Sequence, residues 1–199
     1  IAKALKRQVE GRLPAIRITD LLLEVDTHTG FSNAFTHLRT GRTADNKLAL
    51  LTAILADGIN LGLTRMADVS PGLTMRQLAW AHDWHIREEG YTAAHAILVN
   101  AQRQLPLAGL WGDGTTSSSD GQYFPAGGHA EAIGDLNARY GPNPGAKFYR
   151  FTSDQYGAFH IIAMNANASE AIYVLDGLLY HGSDLAIETH YVDTGGVSD

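Results

Sequence analysis

The sequence of 199 residues predicts an α/β (mixed α+β) protein that is helical to about residue 105 and then alternates strands with one crossover helix. Apolar residues recur at helical spacing in several segments before residue 105. After it, glycine, serine, threonine and β-branched or aromatic residues dominate. A third observation is a pair of aromatic-rich runs, 147–152 and 159–164, that a short polar segment separates. We therefore assign residues 1–105 to a helical region and residues 106–199 to a second domain.

The first three predicted helices follow from caps and apolar spacing. Thr19 is placed to cap a short helix that stops at Gly30, and a second short helix fits residues 32–39. The strongest helical pattern comes next and should bury one face. Its apolar positions are Leu48, Leu51, Ile54, Leu55 and Ile59.

Two further helices complete the helical region. Thr74 and Gln77 have the spacing of a capping box, in which each side chain accepts from the backbone amide of the other residue. The helix that they begin carries Trp80 and Trp84. Another helix fits residues 89–103, and the proline at position 106 marks its end.

The second region predicts a βββαβ order. The runs 147–152 and 159–164 form a hairpin, and Ser169 caps an amphipathic helix with Gly182 beyond its end. A strand over 187–192 follows, and the segment before Asp120 supplies the first strand. A helical crossover returns the last strand parallel to an earlier one. This is the core order of ribonuclease H-like folds, of which residues 106–199 would form the N-terminal, incomplete part.

Composition excludes several classes of function. The balance of 15 Lys and Arg against 21 Asp and Glu gives a net charge of −6, which does not favour a domain that mainly grips phosphate backbones. No apolar run is long enough to span a membrane, and the N-terminus lacks the apolar segment of a signal peptide. Without cysteine, a metal must bind oxygen or imidazole. The first residue is not methionine and the chain stops after a glycine turn, so we expect a fragment.

Two carboxylates could share a divalent cation. Asp120 lies in the polar run WGDGTTSSSDGQ, and Asp193 follows an apolar strand. In the predicted order their strands are neighbours, and two close carboxylates repel each other unless a cation lies between them. Oxygen ligands select Mg²⁺ or Mn²⁺. Asp113 competes with Asp120 for this role, and Asp199 competes with Asp193.

The sequence also resembles a known family at these residues. The matching stretches are ITDLLLEVDTHTGFSNAFTHLRTG, LLTAILADGINLGLTRMA, WGDGTTSSSDGQYFPAGG, ARYG, TSDQYGAFH, ASEAIYVLDGLLYHG and HYVDTGG. They are similar to the transposases of the Tn-three family of replicative bacterial transposons. The resemblance covers nearly the whole chain, and its most specific motif is GTTSSSDGQ.

The resemblance implies a DDE transposase on a ribonuclease H-like core. Such enzymes use three acidic residues and Mg²⁺ or Mn²⁺ to nick transposon ends and to join the freed 3′ hydroxyls to target DNA. Asp120 matches the first catalytic and metal-binding residue, and Asp193 matches the second. The family's glutamate lies beyond Asp199, so the fragment should be inactive alone. The resemblance also implies DNA as partner, a homo-oligomer on DNA, no membrane, and action in the bacterial cytoplasm.

Two other functions stay open. The fragment could be an inert structural or oligomerisation module of a transposase, or part of a generic ribonuclease H-like nuclease. A metal at His82 and His85, a nucleophile in the serine run 117–119 and phosphate contacts by basic residues are weaker interpretations. Those basic residues are Arg139, Lys147 and Arg150. Trp80, Trp84 and Trp111 could stack on bases, although we expect Trp80 and Trp84 to pack in the core.

Overall fold

A computed structural model of the chain describes residues 2–125, 141 and 143–193. Within them the class is mixed α+β, as predicted. The helices are α1 (Ala2–Glu10), α2 (Ile18–Thr29), α3 (Lys47–Gly58), α4 (Leu63–Val69), α5 (Met75–His85), α6 (Glu88–Arg103) and α7 (Ala171–Leu179), with 3₁₀ turns at Phe31–Ala34 and Ala108–Leu110. The strands are β1 (Thr116–Pro125), β2 (Gly145–Ser153), β3 (Ala158–Asn165) and β4 (Thr189–Val192).

The chain divides into two compact units, Ile1–Ile86 and Arg87–Asp199. Helix α6 belongs to the second unit, because its Val99 joins the core formed by strand residues such as Tyr149 and Phe151. The compositional boundary near residue 105 lies at the end of this helix. The assignment of residues 1–105 and 106–199 to separate domains stays a prediction.

The core of the first unit lies between α3, α4 and α5. Its buried residues are Ala49, Ala56, Met66, Leu78 and Ala81. The capping box at α5 is confirmed: the Thr74 hydroxyl accepts from the Gln77 amide, and the Gln77 side chain accepts from the Thr74 amide at 2.9 Å. The predicted face of α3 is partly wrong, because Leu48 and Ile59 are exposed. The small side chains of Ala49, Ala53 and Ala56 are buried instead, on the other side of the helix.

The two short helices at the start differ from the prediction in their bounds. Helix α2 begins after Arg17, so Thr19 does not cap it, whereas Gly30 ends it in the left-handed conformation (φ 67°) as expected. The helix predicted over 32–39 is wrong beyond Ala34. There the chain leaves helical geometry, because Phe35 turns into the core and a tight turn follows in which Gly41 donates to the His37 carbonyl.

The second unit is built on a four-stranded sheet of order β3-β2-β1-β4. Strands β1, β2 and β3 pair antiparallel, and β4 returns parallel to β1 after α7. The predicted hairpin, the βββαβ order and the parallel return are therefore confirmed. One difference matters for the site: β1 begins at Thr116 and continues past Asp120 to Pro125, so Asp120 lies inside a strand rather than at its end.

Helix α7 covers one face of the sheet at close range, and we call this face the buried face. A Cβ at Gly177 would overlap the Phe151 ring, so glycine at this position lets the helix approach β2. Two predicted caps of this helix are wrong. Glu170 rather than Ser169 is its N-cap residue, and Tyr180 rather than Gly182 is its C-cap residue.

Among the described residues no helix combines the length and the apolar character that crossing a membrane would require.

Candidate metal centre

The two faces of the sheet carry different chemistry. Ser117 and Ser119 of β1 are buried, whereas Ser118 and Asp120 between and after them are exposed. This alternation is the ordinary consequence of strand geometry, in which successive side chains point to opposite faces. Arg150 lies opposite Asp120 on β2 and is exposed as well. We call the face that carries Asp120 the open face.

The parallel pairing of β1 with β4 ends one residue before Asp120 on β1 and one residue before Asp193, which follows β4. Ser118 pairs with Tyr191, and Ser119 pairs with Val192. Extended one step beyond this last pair, the register would bring Asp120 and Asp193 to facing positions. Both residues are exposed, and the alternation of β4 continued by one residue places Asp193 on the open face with Asp120. Directly opposed like charges destabilise a strand pair, which favours a cation between them.

The charges of these carboxylates reach a buried tyrosine on β2. Tyr149 is fully buried, and burial is the largest cause that raises the pKa of its hydroxyl. The negative charges of Glu170, Asp193 and Asp120 raise that pKa further. Tyr149 therefore keeps its proton and can donate it in a hydrogen bond.

A buried ion pair supports the strand next to Asp120. Lys147 Nζ lies 2.6 Å from Glu170 Oε1, and both residues are buried. A Cβ on Gly121 would overlap the Glu170 carboxylate, so the ion pair packs directly against the backbone that follows Asp120. The proposed phosphate contact by Lys147 therefore has no support here, because its side chain lies on the buried face. Arg139, another of the basic candidates, lies outside the described residues.

Arg150 lies on the open face, where its guanidinium could contact a phosphate. No carboxylate among the described residues lies within ion-pair distance (4.0 Å) of the Arg150 guanidinium, although Arg150 is the register partner of Asp120. A guanidinium beside a metal-binding carboxylate can contact a phosphate oxygen with two donors. Arg150 thus keeps the phosphate-binding interpretation that its sequence position suggested.

A histidine joins β1 and β4 on the buried face. His190 Nδ1 lies 2.7 Å from Ser117 Oγ, and His190 Nε2 lies 2.8 Å from Ser119 Oγ. The Ser119 hydroxyl also lies 2.6 Å from the Tyr149 hydroxyl. Burial lowers the pKa of His190 and so favours the neutral imidazole, in which one nitrogen donates and the other accepts. We call these four residues the His190 network.

Comparison with known proteins decides the family. Residues 20–199 match the family model described as the Tn3 transposase DDE domain. The chain belongs to this family. Its relatives include the transposase for transposon Tn501 of Pseudomonas aeruginosa, 56% identical over 198 residues, and that for Tn3926 of Escherichia coli, 55% identical over 198 residues. The transposase for Tn1546 of Enterococcus faecium is 44% identical over 200 residues. Each alignment covers 100% of this chain but 20% of the relative, so the chain spans about a fifth of their length.

Within this Tn3 transposase domain, Asp113 has a local role. Its Oδ1 accepts from the Thr115 amide at 3.0 Å and from the Thr115 hydroxyl at 2.6 Å. These hydrogen bonds lower the pKa of Asp113 and close the turn before β1. Asp113 also precedes β1, whereas Asp120 lies within it, one residue after the last residue that pairs with β4. The choice of Asp120 over Asp113 stays a prediction, and Asp199 lies outside the described residues.

The histidine pair of α5 does not form a metal site. His85 is buried and its Nδ1 contacts the Phe35 carbonyl at 3.0 Å, whereas His82 lies near Asp57 and Asp83. In the described part of the chain, no three His, Asp or Glu residues are arranged to hold a metal ion. The carboxylate pair Asp120 and Asp193 is thus at most a partial ligand set within these residues.

The tryptophans differ from the core-packing prediction in one case. Trp80 is 49% exposed, so its assignment to the core is wrong, whereas Trp84 is half-buried and stacks on His37. Trp111 is 60% exposed and meets Tyr156 edge to face, with ring centroids 5.1 Å apart. Trp111 therefore stays a candidate for stacking on a base.

Sequence reasoning missed three residues on the buried face behind the carboxylates: Tyr149, Glu170 and His190. A usable signal existed only for His190, which lies three residues before Asp193 and hence on the opposite face of the same strand. The serine run drew attention as a possible nucleophile. The structure instead buries Ser117 and Ser119 as partners of His190.

Proposed function

We propose that this chain contributes Asp120 and Asp193 as catalytic, metal-binding residues to a transposase that cleaves DNA strands and joins them to target DNA in replicative transposition. One observation supports the proposal: in a Tn3 transposase DDE domain, the parallel register of β1 and β4 leads directly to two exposed carboxylates, Asp120 and Asp193, which would face each other one step beyond the last pair. The relatives are named transposases, which supports the same activity in the protein that contains this chain.

The donor chemistry of the pair fits Mg²⁺ or Mn²⁺. Both ions prefer carboxylate oxygen, and the chain contains no cysteine to supply a thiolate ligand. When bound, such ions lower the pKa of a coordinated hydroxyl or water and stabilise the leaving oxygen of an in-line phosphoryl transfer. Asp120 and Asp193 would hold them from two adjacent strands.

The neighbouring residues would orient the DNA strand. Arg150, opposite Asp120, is placed to contact a phosphate oxygen and to offset the charge that repels DNA from two carboxylates. The exposed ring of Trp111 offers a surface on which a base can stack. We propose these two contacts as positioning contacts for the substrate.

A third acidic ligand would come from the parent protein. Glu170, the other acid near Tyr149, is buried in its pair with Lys147 and so does not serve the open face. We therefore propose that this chain alone is inactive. We further propose that the parent acts as a homo-oligomer on DNA in the bacterial cytoplasm, where its DNA substrate is found.

The test is a strand-cleavage assay with the full-length transposase that contains this chain and labelled transposon-end DNA. We expect a nick at the transposon end with Mg²⁺ or Mn²⁺, no nick after chelation, and joined products when target DNA is added. Cuts throughout the DNA would indicate a generic nuclease. Cleavage that persists without divalent metal would contradict the proposal, as would end-specific cleavage that is unchanged when both aspartates are replaced. In the latter case this chain would be an inert structural module.

A further inference from the structure

The strand that carries Asp193 has little backbone pairing to hold its position. Strand β4 has four residues and pairs only with β1 among the described strands. A slip of one residue would move every side chain of β4 to the other face of the sheet. Asp193 would then leave the open face, and its position opposite Asp120 would be lost.

The His190 network opposes such a slip. Ser117 and Ser119 lie two positions apart on β1, about 7 Å along the strand. The two ring nitrogens of His190 bond one serine each, at 2.7 and 2.8 Å. A shift of β4 by one residue would turn the ring to the open face, and a shift by two would leave one nitrogen without its serine. Both hydrogen bonds of the imidazole therefore form only in the observed register of β4 against β1.

The network also extends to Tyr149 on β2. Ser119 precedes Asp120 on β1, and its hydroxyl contacts the Tyr149 hydroxyl at 2.6 Å. Burial raises the pKa of Tyr149, so its hydroxyl stays protonated and can donate to Ser119. If β4 slipped, the Ser117 hydroxyl would lose its contact with His190, and the Ser119 hydroxyl would keep only its contact with Tyr149. This couples the satisfaction of buried polar groups to the placement of the exposed acids.

We propose that His190 is a positioning residue for the metal centre: its imidazole, held between Ser117 and Ser119, fixes β4 so that Asp193 faces Asp120. The inference rests on the proposed function, because it assigns to His190 a role in that same site. It adds a residue on the buried face that touches neither substrate nor metal. Removal of the hydrogen-bond partners of metal ligands typically changes metal affinity or activity by about 10-fold to 100-fold, and we expect an effect of similar size for His190, which acts through the register of β4.

A competing explanation is that His190 only fills space. Its ring stacks on Phe151 with centroids 5.6 Å apart and planes 26° apart. His190→Phe preserves a ring of similar size for this stacking but removes both hydrogen bonds. His190→Gln can place an amide nitrogen near the position of Nε2 and keep the bond to Ser119. Packing alone predicts that the phenylalanine variant performs better, whereas a register-fixing role predicts that the glutamine variant does.

The experiment titrates Mn²⁺ in the cleavage assay of the full-length transposase and measures DNA-end binding separately. We expect His190→Ala and His190→Phe to raise the Mn²⁺ concentration for half-maximal cleavage by about 10-fold or more. His190→Gln should lie closer to the wild type, and DNA-end binding should change little in all three. Ser118→Ala is the matched control, because Ser118 lies between the two bonded serines but faces the open side.

Three outcomes are decisive against the inference. If His190→Phe had the Mn²⁺ requirement of the wild type, His190 would contribute packing only. A lower cleavage rate at an unchanged Mn²⁺ requirement would likewise show that His190 does not position the metal ligands. If His190→Ala fails to fold, single Ser117→Ala and Ser119→Ala variants serve instead, and a wild-type Mn²⁺ requirement in both would overturn the role. Failure of the proposed function looks different: Asp120→Asn would then still cleave, or the wild type would cleave without metal.

Discussion

Asp120→Asn is expected to lower the rate of DNA-end cleavage by the full-length transposase by about 10³-fold or more, with DNA-end binding retained. Asparagine has nearly the shape of aspartate but lacks the charge that attracts a divalent cation. A loss of 10³-fold corresponds to about 4 kcal/mol of transition-state stabilisation. That loss is reasonable when a metal clamp on the attacking and leaving oxygens is disrupted. Asp193→Asn should behave in the same way.

The matched control for this prediction is Asp113→Asn. Asp113 is the other aspartate of the same motif, and its carboxylate accepts from Thr115 in a turn. An asparagine can keep these hydrogen bonds through its carbonyl oxygen, so cleavage should stay close to the wild-type rate. The assignment would be reversed if Asp113→Asn lost cleavage while Asp120→Asn retained it. Loss of DNA-end binding in Asp120→Asn would argue against a purely catalytic role.

Lys147→Met should destabilise this chain by about 3–5 kcal/mol, because it leaves the buried Glu170 carboxylate without its cation. The penalty is large because both side chains are about nine-tenths buried, with exposed fractions of 10% and 9%. The double variant Lys147→Met with Glu170→Leu removes both charges and should recover most of the lost stability. Equilibrium unfolding in denaturant measures the free energy of unfolding of each variant.

An exposed ion pair of the same kind supplies the control. Lys6 and Glu10 lie 3.7 Å apart on α1 with side chains 75% and 58% exposed. Such surface pairs contribute little, so Lys6→Met should change the free energy of unfolding by less than about 0.5 kcal/mol. If Lys147→Met had an equally small effect, the Lys147 and Glu170 pair would be solvated rather than buried. The packing of Gly121 against Glu170 would then need another explanation.

The features that sequence predicted best are those that depend on local chemistry. The capping box at Thr74 is complete within four residues, and the left-handed Gly30 ends α2 because glycine adopts positive φ at little cost. The βββαβ order followed from two aromatic-rich runs with a short polar connection, an amphipathic helix, and the rule that a helical crossover returns the next strand parallel to an earlier one. These signals need no knowledge of distant partners.

The features that sequence missed depend on partners far along the chain. His190 meets Ser117 and Ser119 across 71 to 73 positions, and only the pairing register of β4 decides this contact. The buried pair of Lys147 and Glu170 also depends on a distant partner. From sequence alone, a lysine in an aromatic-rich strand is expected to be solvated or to bind phosphate, and only the position of Glu170 shows that it is buried. The prediction for Trp80 is wrong because helical spacing does not reveal which face of α5 meets a neighbour.

The central claim is that Asp120 and Asp193 hold one divalent metal centre, and iron-directed backbone cleavage tests it most directly. Fe²⁺ replaces Mg²⁺ in the full-length transposase, and ascorbate with peroxide then generates hydroxyl radicals that cut the polypeptide near the bound ion. We predict cuts near both residue 120 and residue 193, competition of both by Mg²⁺, and loss of both cuts in Asp120→Asn and in Asp193→Asn. Cuts near only one of the two residues, or cuts that survive either substitution, would contradict a shared site.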